Sequence, residues 1–119
     1  MREIFVFGSN LAGRHGKGAA LFAKQNHGAI LGQGRGLQGN SYAIPTKDHN
    51  IKTLPLNEIS FYVKTFLLFA EENDDMIFNV TPIGCGLAGY RYSDIAPMFK
   101  DSPTNVRLPK EFQEVIGGR

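Results

Sequence analysis

Two glycine-rich stretches carry the residues best suited to chemistry: GSNLAGRHGKGAA at residues 8–20 and IGCGLAGY at residues 83–90. Glycines lack Cβ, so their backbone N–H groups can turn inward and approach a phosphate. A helix starting beside them adds the partial positive charge of its first turn. Two such loops facing one another suit a diphosphate. The competing reading is that these glycines only permit tight packing at strand ends.

The familiar phosphate motifs do not fit. A Walker A loop needs a glycine separated by four residues from its Gly-Lys pair and a Ser or Thr directly after it, yet Leu11 and Gly18 hold those places around Gly16 and Lys17. Gly34, Gly36 and Gly39 match G-x-G-x-x-G, but the strand-like SYAIP follows where a helix is required. Gly84, Gly86 and Gly89 match it in a better context, with too little chain behind them for a second βαβ unit and its ribose-binding acid. GQGRGLQGN therefore reads as a turn-rich connection with Arg35 in solvent. Cys85 is the lone cysteine, which excludes an internal disulfide and a cysteine cage for zinc. As a nucleophile it has no histidine near in sequence, so a small buried residue is expected there. His15, His27 and His49 are too dispersed for a metal site, and no metal is expected. His15 is left between a surface loop residue and a donor facing the ligand.

The elements that position these loops follow from periodicity. Residues 3–7 read as a buried strand feeding the first loop, and residues 17–27 as a helix with Gly28 as its left-handed terminus. A short strand at residues 41–44 is expected to stop at Pro45. The clearest helix is expected to start with Asn57 as N-cap and carries Ile59, Tyr62, Val63, Phe66, Leu67 and Ala70 on one face. Residues 76–81 form a second strong strand, the second glycine loop follows, Ser93 and Asp94 can cap a short helix before Pro97, and residues 105–108 suit an edge strand. Strands alternating with helices predict an α/β layered fold with a mostly parallel sheet, whose ligand sits beyond the carboxyl ends of the strands. Both glycine loops fall at that edge.

The chain has 119 residues and a net charge of +2, which predicts one domain of ordinary composition over residues 1–119. Its lysines and arginines are dispersed, a pattern compatible with a small anionic ligand but not with a nucleic-acid footprint. No apolar run of about 18 residues and no signal peptide is readable, so no membrane association and a cytoplasmic location are expected.

The order strand, SN, GKGAALFAK, HGA, then GQG and YAIPTKD, a long helix, IGCGLAGY and DIAPMF resembles a macro domain, the ADP-ribose-binding α/β module. Within that family it is most similar to the compact branch of DNA and carboxyl-linked ADP-ribosyl glycohydrolases, over roughly residues 3–109. The resemblance implies a macro-like three-layer fold, with a mostly parallel or mixed central sheet flanked by helices. It implies ADP-ribose or a related nucleotide as ligand, ADP-ribosylated DNA or protein as partner, and no cofactor. By position, Asn10, Gly16, Lys17, Gly18, Ala19, Gly84, Cys85, Gly86, Leu87, Ala88, Gly89 and Tyr90 carry over as ligand contacts. Lys47 in IPTKDH matches the lysine that acts in that branch as nucleophile or electrostatic partner toward the distal ribose.

Two departures from the family pattern matter. The hydrolases pair that lysine with an acid in or just after the GCG loop, whereas here Ala88, Gly89, Tyr90 and Arg91 fill those positions; Asp94, Asp48 and His15 are the substitutes to consider. The usual amino-terminal aspartate that reads adenine also has no clear equivalent, which leaves stacking on Tyr90, Tyr92 or Phe99 as the alternative. Three readings stay open: a hydrolase of the ribose C1 linkage using Lys47, a binder that recognises or sequesters ADP-ribose or a related nucleotide signal, and a domain whose loops hold no ligand.

Overall fold

In the computed structural model, which describes residues 1–117, ten elements alternate along the chain. They are β1 (Arg2–Asn10), α1 (Gly18–Asn26), β2 (Gly36–Gln38), β3 (Ser41–Lys47), α2 (Leu56–Glu72), β4 (Met76–Val80), α3 (Tyr92–Ile95), a 3-10 turn (Ala96–Phe99), β5 (Val106–Arg107) and α4 (Lys110–Ile116). The five strands form one sheet in the order β2-β3-β1-β4-β5. β1 lies at its centre, parallel to β3 and β4; β4 and β5 are also parallel, and only β2 runs antiparallel, against β3. The protein is thus an α/β fold with a mixed, mostly parallel sheet.

Alternation along β1 decides what each face of the sheet buries. Ile4 and Val6 point to a large core with Ile44, Ile59, Val63, Phe66, Phe78, Phe99 and Phe112, all fully buried. Phe5 and Phe7 point the other way, onto Ala20, Ala23 and Ala29 around α1. Three layers result: α1, the sheet, and the remaining helices. Phe66 sits at the middle of the larger core, with ring centroids 5.0 Å from Tyr42 and 5.4 Å from Phe78. Burying one such ring contributes about 1.5–3 kcal/mol.

Local chemistry moves several boundaries from their sequence-based positions. β3 runs through Pro45 to Lys47, because β2 pairs only as far as Ala43 and leaves the strand beyond it as an edge that tolerates a missing N–H. Helix α2 starts earlier than Asn57: Pro55 is its N-cap, with φ −67°, and its carbonyl accepts from the N–H groups of Glu58 and Ile59. In α3, Ser93 is not the cap; Arg91 holds that position, and the Asp94 carboxylate accepts the Arg91 N–H at 3.0 Å. Pro97 falls inside the 3-10 turn that continues α3. Gly28 does take the left-handed conformation after α1, with φ +76°. No helix among the described residues is long and apolar enough to cross a membrane.

Candidate functional site

The parallel strands β1, β3 and β4 all end at one edge of the sheet, and a cavity of about 500 Å³ opens there. Its floor is tied together by two threonines that also line it: the Thr81 hydroxyl donates to the Val6 carbonyl at 2.7 Å, and the Thr46 hydroxyl to the Ser9 carbonyl at 3.2 Å. These bonds fix the relative height of three strand ends. The loops that leave them therefore have defined starting points.

The first loop is folded by Asn10. Its side-chain amide donates to the Arg14 carbonyl at 3.0 Å and its side-chain oxygen accepts the Arg14 N–H at 2.9 Å, so one asparagine closes the turn from both sides. Gly34 lies against the base of this turn, where an added Cβ would fall 2.3 Å from the Asn10 carbonyl oxygen. The close approach of two backbones explains a glycine in the GQG stretch without any dinucleotide role.

His15 neither sits at the surface nor faces the cavity. Its ring is fully buried and meets Phe7 edge-on, with centroids 5.3 Å apart. Nε2 lies 3.0 Å from the Gln33 carbonyl and 3.3 Å from the Gln38 side-chain oxygen. That oxygen already accepts the Ile30 N–H at 2.7 Å, so it is an acceptor, and Nε2 of His15 must carry the proton. Nδ1, on the other side of the ring, has no hydrogen-bond partner. His15 anchors the loop to β2, an element that the sequence reading treats as part of a turn-rich connection.

Past His15 the loop enters α1. Lys17 is the N-cap, in extended conformation and without a side-chain cap, so the first-turn N–H groups of Gly18, Ala19 and Ala20 have no partner within the helix. All three residues line the cavity, as do Gly16 and Lys17. Across from them, Gly84, Gly86, Leu87 and Ala88 of the second loop line it too, and Lys47 enters from the end of β3. The first and second loops approach each other closely, since a Cβ on Gly18 would sit 3.8 Å from Leu87 Cδ1.

Three residues of the carried-over set lie outside the lining. Gly89 closes the tip of the second loop through its N–H to the Gly86 carbonyl, with φ +86°. Tyr90 braces the loop from behind: its N–H donates to the Gly84 carbonyl, and its hydroxyl to the Leu54 carbonyl at 2.7 Å. Cys85 is half-buried against the larger core. Burial, with the charges of Asp94 and Glu111 added, pushes its thiol up to about 11, the reverse of what a nucleophile needs.

Among the described residues, the lining contains three cations, Arg14, Lys17 and Lys47, and no carboxylate. Neither Asp94 nor Asp48 supplies one. Asp94 caps α3, and the Asp48 side chain accepts the N–H groups of Asn50 at 2.8 Å and Lys52 at 3.0 Å in the loop after β3. The Lys52 hydrogen bond above all, with the Asn50 bond and the charges of Lys52 and His49, holds the Asp48 carboxyl below its ordinary range. The aromatic candidates for stacking also miss the cavity: Phe99 is core, Tyr90 is a brace, and Tyr92 packs on Phe112.

Among the described residues no group of three or more His, Cys, Asp or Glu side chains could hold a metal ion. Sequence reasoning did not single out Arg14, Ile51, Thr46, Thr81, Pro82 or Ile83, all of which line the cavity. Arg14 was accessible as a cation inside a glycine loop. Ile51 left no such signal. Comparison with protein-family models, with curated proteins and with solved structures finds no match.

Proposed function

We propose that this chain binds ADP-ribose, or the ADP-ribosyl group of a modified DNA or protein, in the cavity at the strand ends. One observation carries the proposal: two glycine loops and the uncapped first turn of α1 converge on a cavity that, among the described residues, holds three cations and no carboxylate. Such a lining favours a dianionic group, and N–H donors at a helix start stabilise phosphate oxygens in particular. A volume near 500 Å³ falls in the range of small-molecule sites. The resemblance to macro domains supplies the identity of the nucleotide, which the lining alone leaves as any ribose-phosphate anion. The proposed setting is the cytoplasm, where a free thiol such as Cys85 stays reduced.

A second reading, hydrolysis of the ribose C1 linkage, is favoured by the place of Lys47 in the same lining. Binding without turnover is the stronger of the two, because both nearby aspartates are committed to backbone N–H groups. Calorimetric titration with ADP-ribose, with ADP and ribose 5-phosphate as controls, tests the proposal. Micromolar affinity for ADP-ribose, about −8 kcal/mol, with weaker binding of the controls is the expected result. Absence of heat with all three would overturn it.

A further inference from the structure

The loop between β3 and α2 contains the only non-glycine residue at positive φ among the described residues: Ile51, at +64°. A β-branched side chain in that region is a backbone outlier, and such a conformation persists only where the surroundings over-determine it. Here they do. The Asp48 N–H donates to the Lys52 carbonyl at 2.8 Å, and the Ile51 N–H to the Asp48 carbonyl at 3.1 Å. The Asp48 carboxylate accepts two further N–H groups, and Lys47 and Thr53 form an antiparallel bridge that closes the loop. The Thr53 hydroxyl then donates to the Ala88 carbonyl at 3.0 Å, stapling this loop to the second glycine loop.

Core packing does not account for the strain. Ile51 belongs to neither buried cluster and is not among the residues packed against them; it lines the cavity instead. Leu87, 66% exposed at the tip of the stapled neighbour, lines it as well. The cavity therefore draws Arg14 and Lys17 from the first loop, and Ile51 and Leu87 from the other two. Lys47, at the base of the Ile51 loop, adds the third cation, so charge and large apolar side chains flank one cavity.

We infer that Ile51 is a specificity-determining residue, an apolar seat for the uncharged ring portion of the ligand, held in place by the Asp48 turn and the Thr53–Ala88 staple. The inference rests on the ADP-ribose reading of the cavity. It assigns the ligand class more narrowly, as a phosphate-bearing molecule with a ring large enough to reach Ile51, and not a bare inorganic anion.

Asparagine tolerates the left-handed region and isoleucine does not, so Ile51→Asn separates the side chain's contact from the loop's conformation. The melting temperature of Ile51→Asn should equal or exceed that of the wild type. Its affinity for ADP-ribose should fall about tenfold or more, the scale of a lost apolar contact in a pocket, while its affinity for inorganic diphosphate changes less than about twofold. Ile51→Val, which keeps a branched apolar surface, should retain most of the ADP-ribose affinity.

A stable Ile51→Asn protein that binds ADP-ribose like the wild type overturns the inference and leaves the site reading intact. A lowered melting temperature also overturns it, because Ile51 would then serve packing. Wild-type protein that binds neither ADP-ribose nor diphosphate overturns the site reading itself, and this assignment with it.

Discussion

Gly16 offers the sharpest test of an anion site. An added Cβ there meets no atom within 4 Å and its backbone is outside the left-handed region, so Gly16→Asp introduces a carboxylate with neither clash nor strain. Gly18, with φ +55°, would confuse charge with backbone strain. Gly16 lines the cavity between Arg14 and Lys17, which places the new charge beside the proposed diphosphate. At about 6 Å and an effective dielectric of about 40, each like-charge pair costs about 1.4 kcal/mol, and a dianion doubles this to about 3 kcal/mol, or about 100-fold in affinity. Gly16→Asn has nearly the same size without the charge and should cost much less. Gly86→Asp repeats the experiment from the second loop, where an added Cβ also meets open space. The assay is calorimetry with ADP-ribose, beside urea denaturation showing all three variants within about 0.5 kcal/mol of wild type. A folded Gly16→Asp protein with unchanged affinity would refute the placement of anionic oxygens at this loop.

Three further outcomes are expected. Lys47→Ala should lower ADP-ribose affinity by less than about tenfold, as for one partly exposed charge, and should abolish any release of ADP-ribose from modified DNA or protein; unchanged release would remove Lys47 from a mechanism. His15→Phe keeps the ring on Phe7 but deletes the Nε2 donor, and should destabilise the fold by about 1 kcal/mol because Gln38 still serves the Gln33 carbonyl; an unchanged urea midpoint would refute that account. With its thiol near 11 rather than 9.0, Cys85 should react with iodoacetamide at neutral pH about 100-fold below the thiolate fraction of an unperturbed cysteine. Because its folded value is raised, the same group stabilises the fold below about pH 9 and loses that contribution as pH rises further; a labelling midpoint at or below 9.0 would contradict this.

The sequence announced those elements whose signal is repeated along their own length. β1 and β4 alternate or run apolar, and α2 repeats its apolar face at Ile59, Val63, Phe66 and Ala70, so their existence is legible without neighbours. β2 and α4 are not. Three residues, Gly36–Gln38, form a strand only because Ser41–Ala43 returns antiparallel beside them, and α4 is a seven-residue helix whose start at Pro109 has no Ser, Thr, Asn or Asp to mark it. Within the site, the two glycine loops were legible because both follow strands that end at one edge. The face that each loop residue presents was not. Cys85, Gly89 and Tyr90 are interleaved with lining residues, and a loop has no period from which to read which side chain turns inward.

The same limit explains why the chemistry of this site lies in what surrounds the glycines. Asn10 closes the first turn, His15 pins it to β2, Tyr90 supports the second loop, and Asp48 shapes the segment that presents Ile51. Apart from the His15 contact with the Gln38 side chain, these polar groups spend their hydrogen bonds on backbone, which makes them poor donors or acceptors for a ligand and good determinants of loop shape. The groups left over for a ligand are the three cations, the uncapped N–H groups of α1 and the apolar surface of Ile51 and Leu87. An anion with an attached ring satisfies all of them together. Among the described residues the lining offers no carboxylate as proton donor for a departing group, so catalysis here would have to rest on Lys47, whereas recognition needs nothing beyond the residues already in the lining.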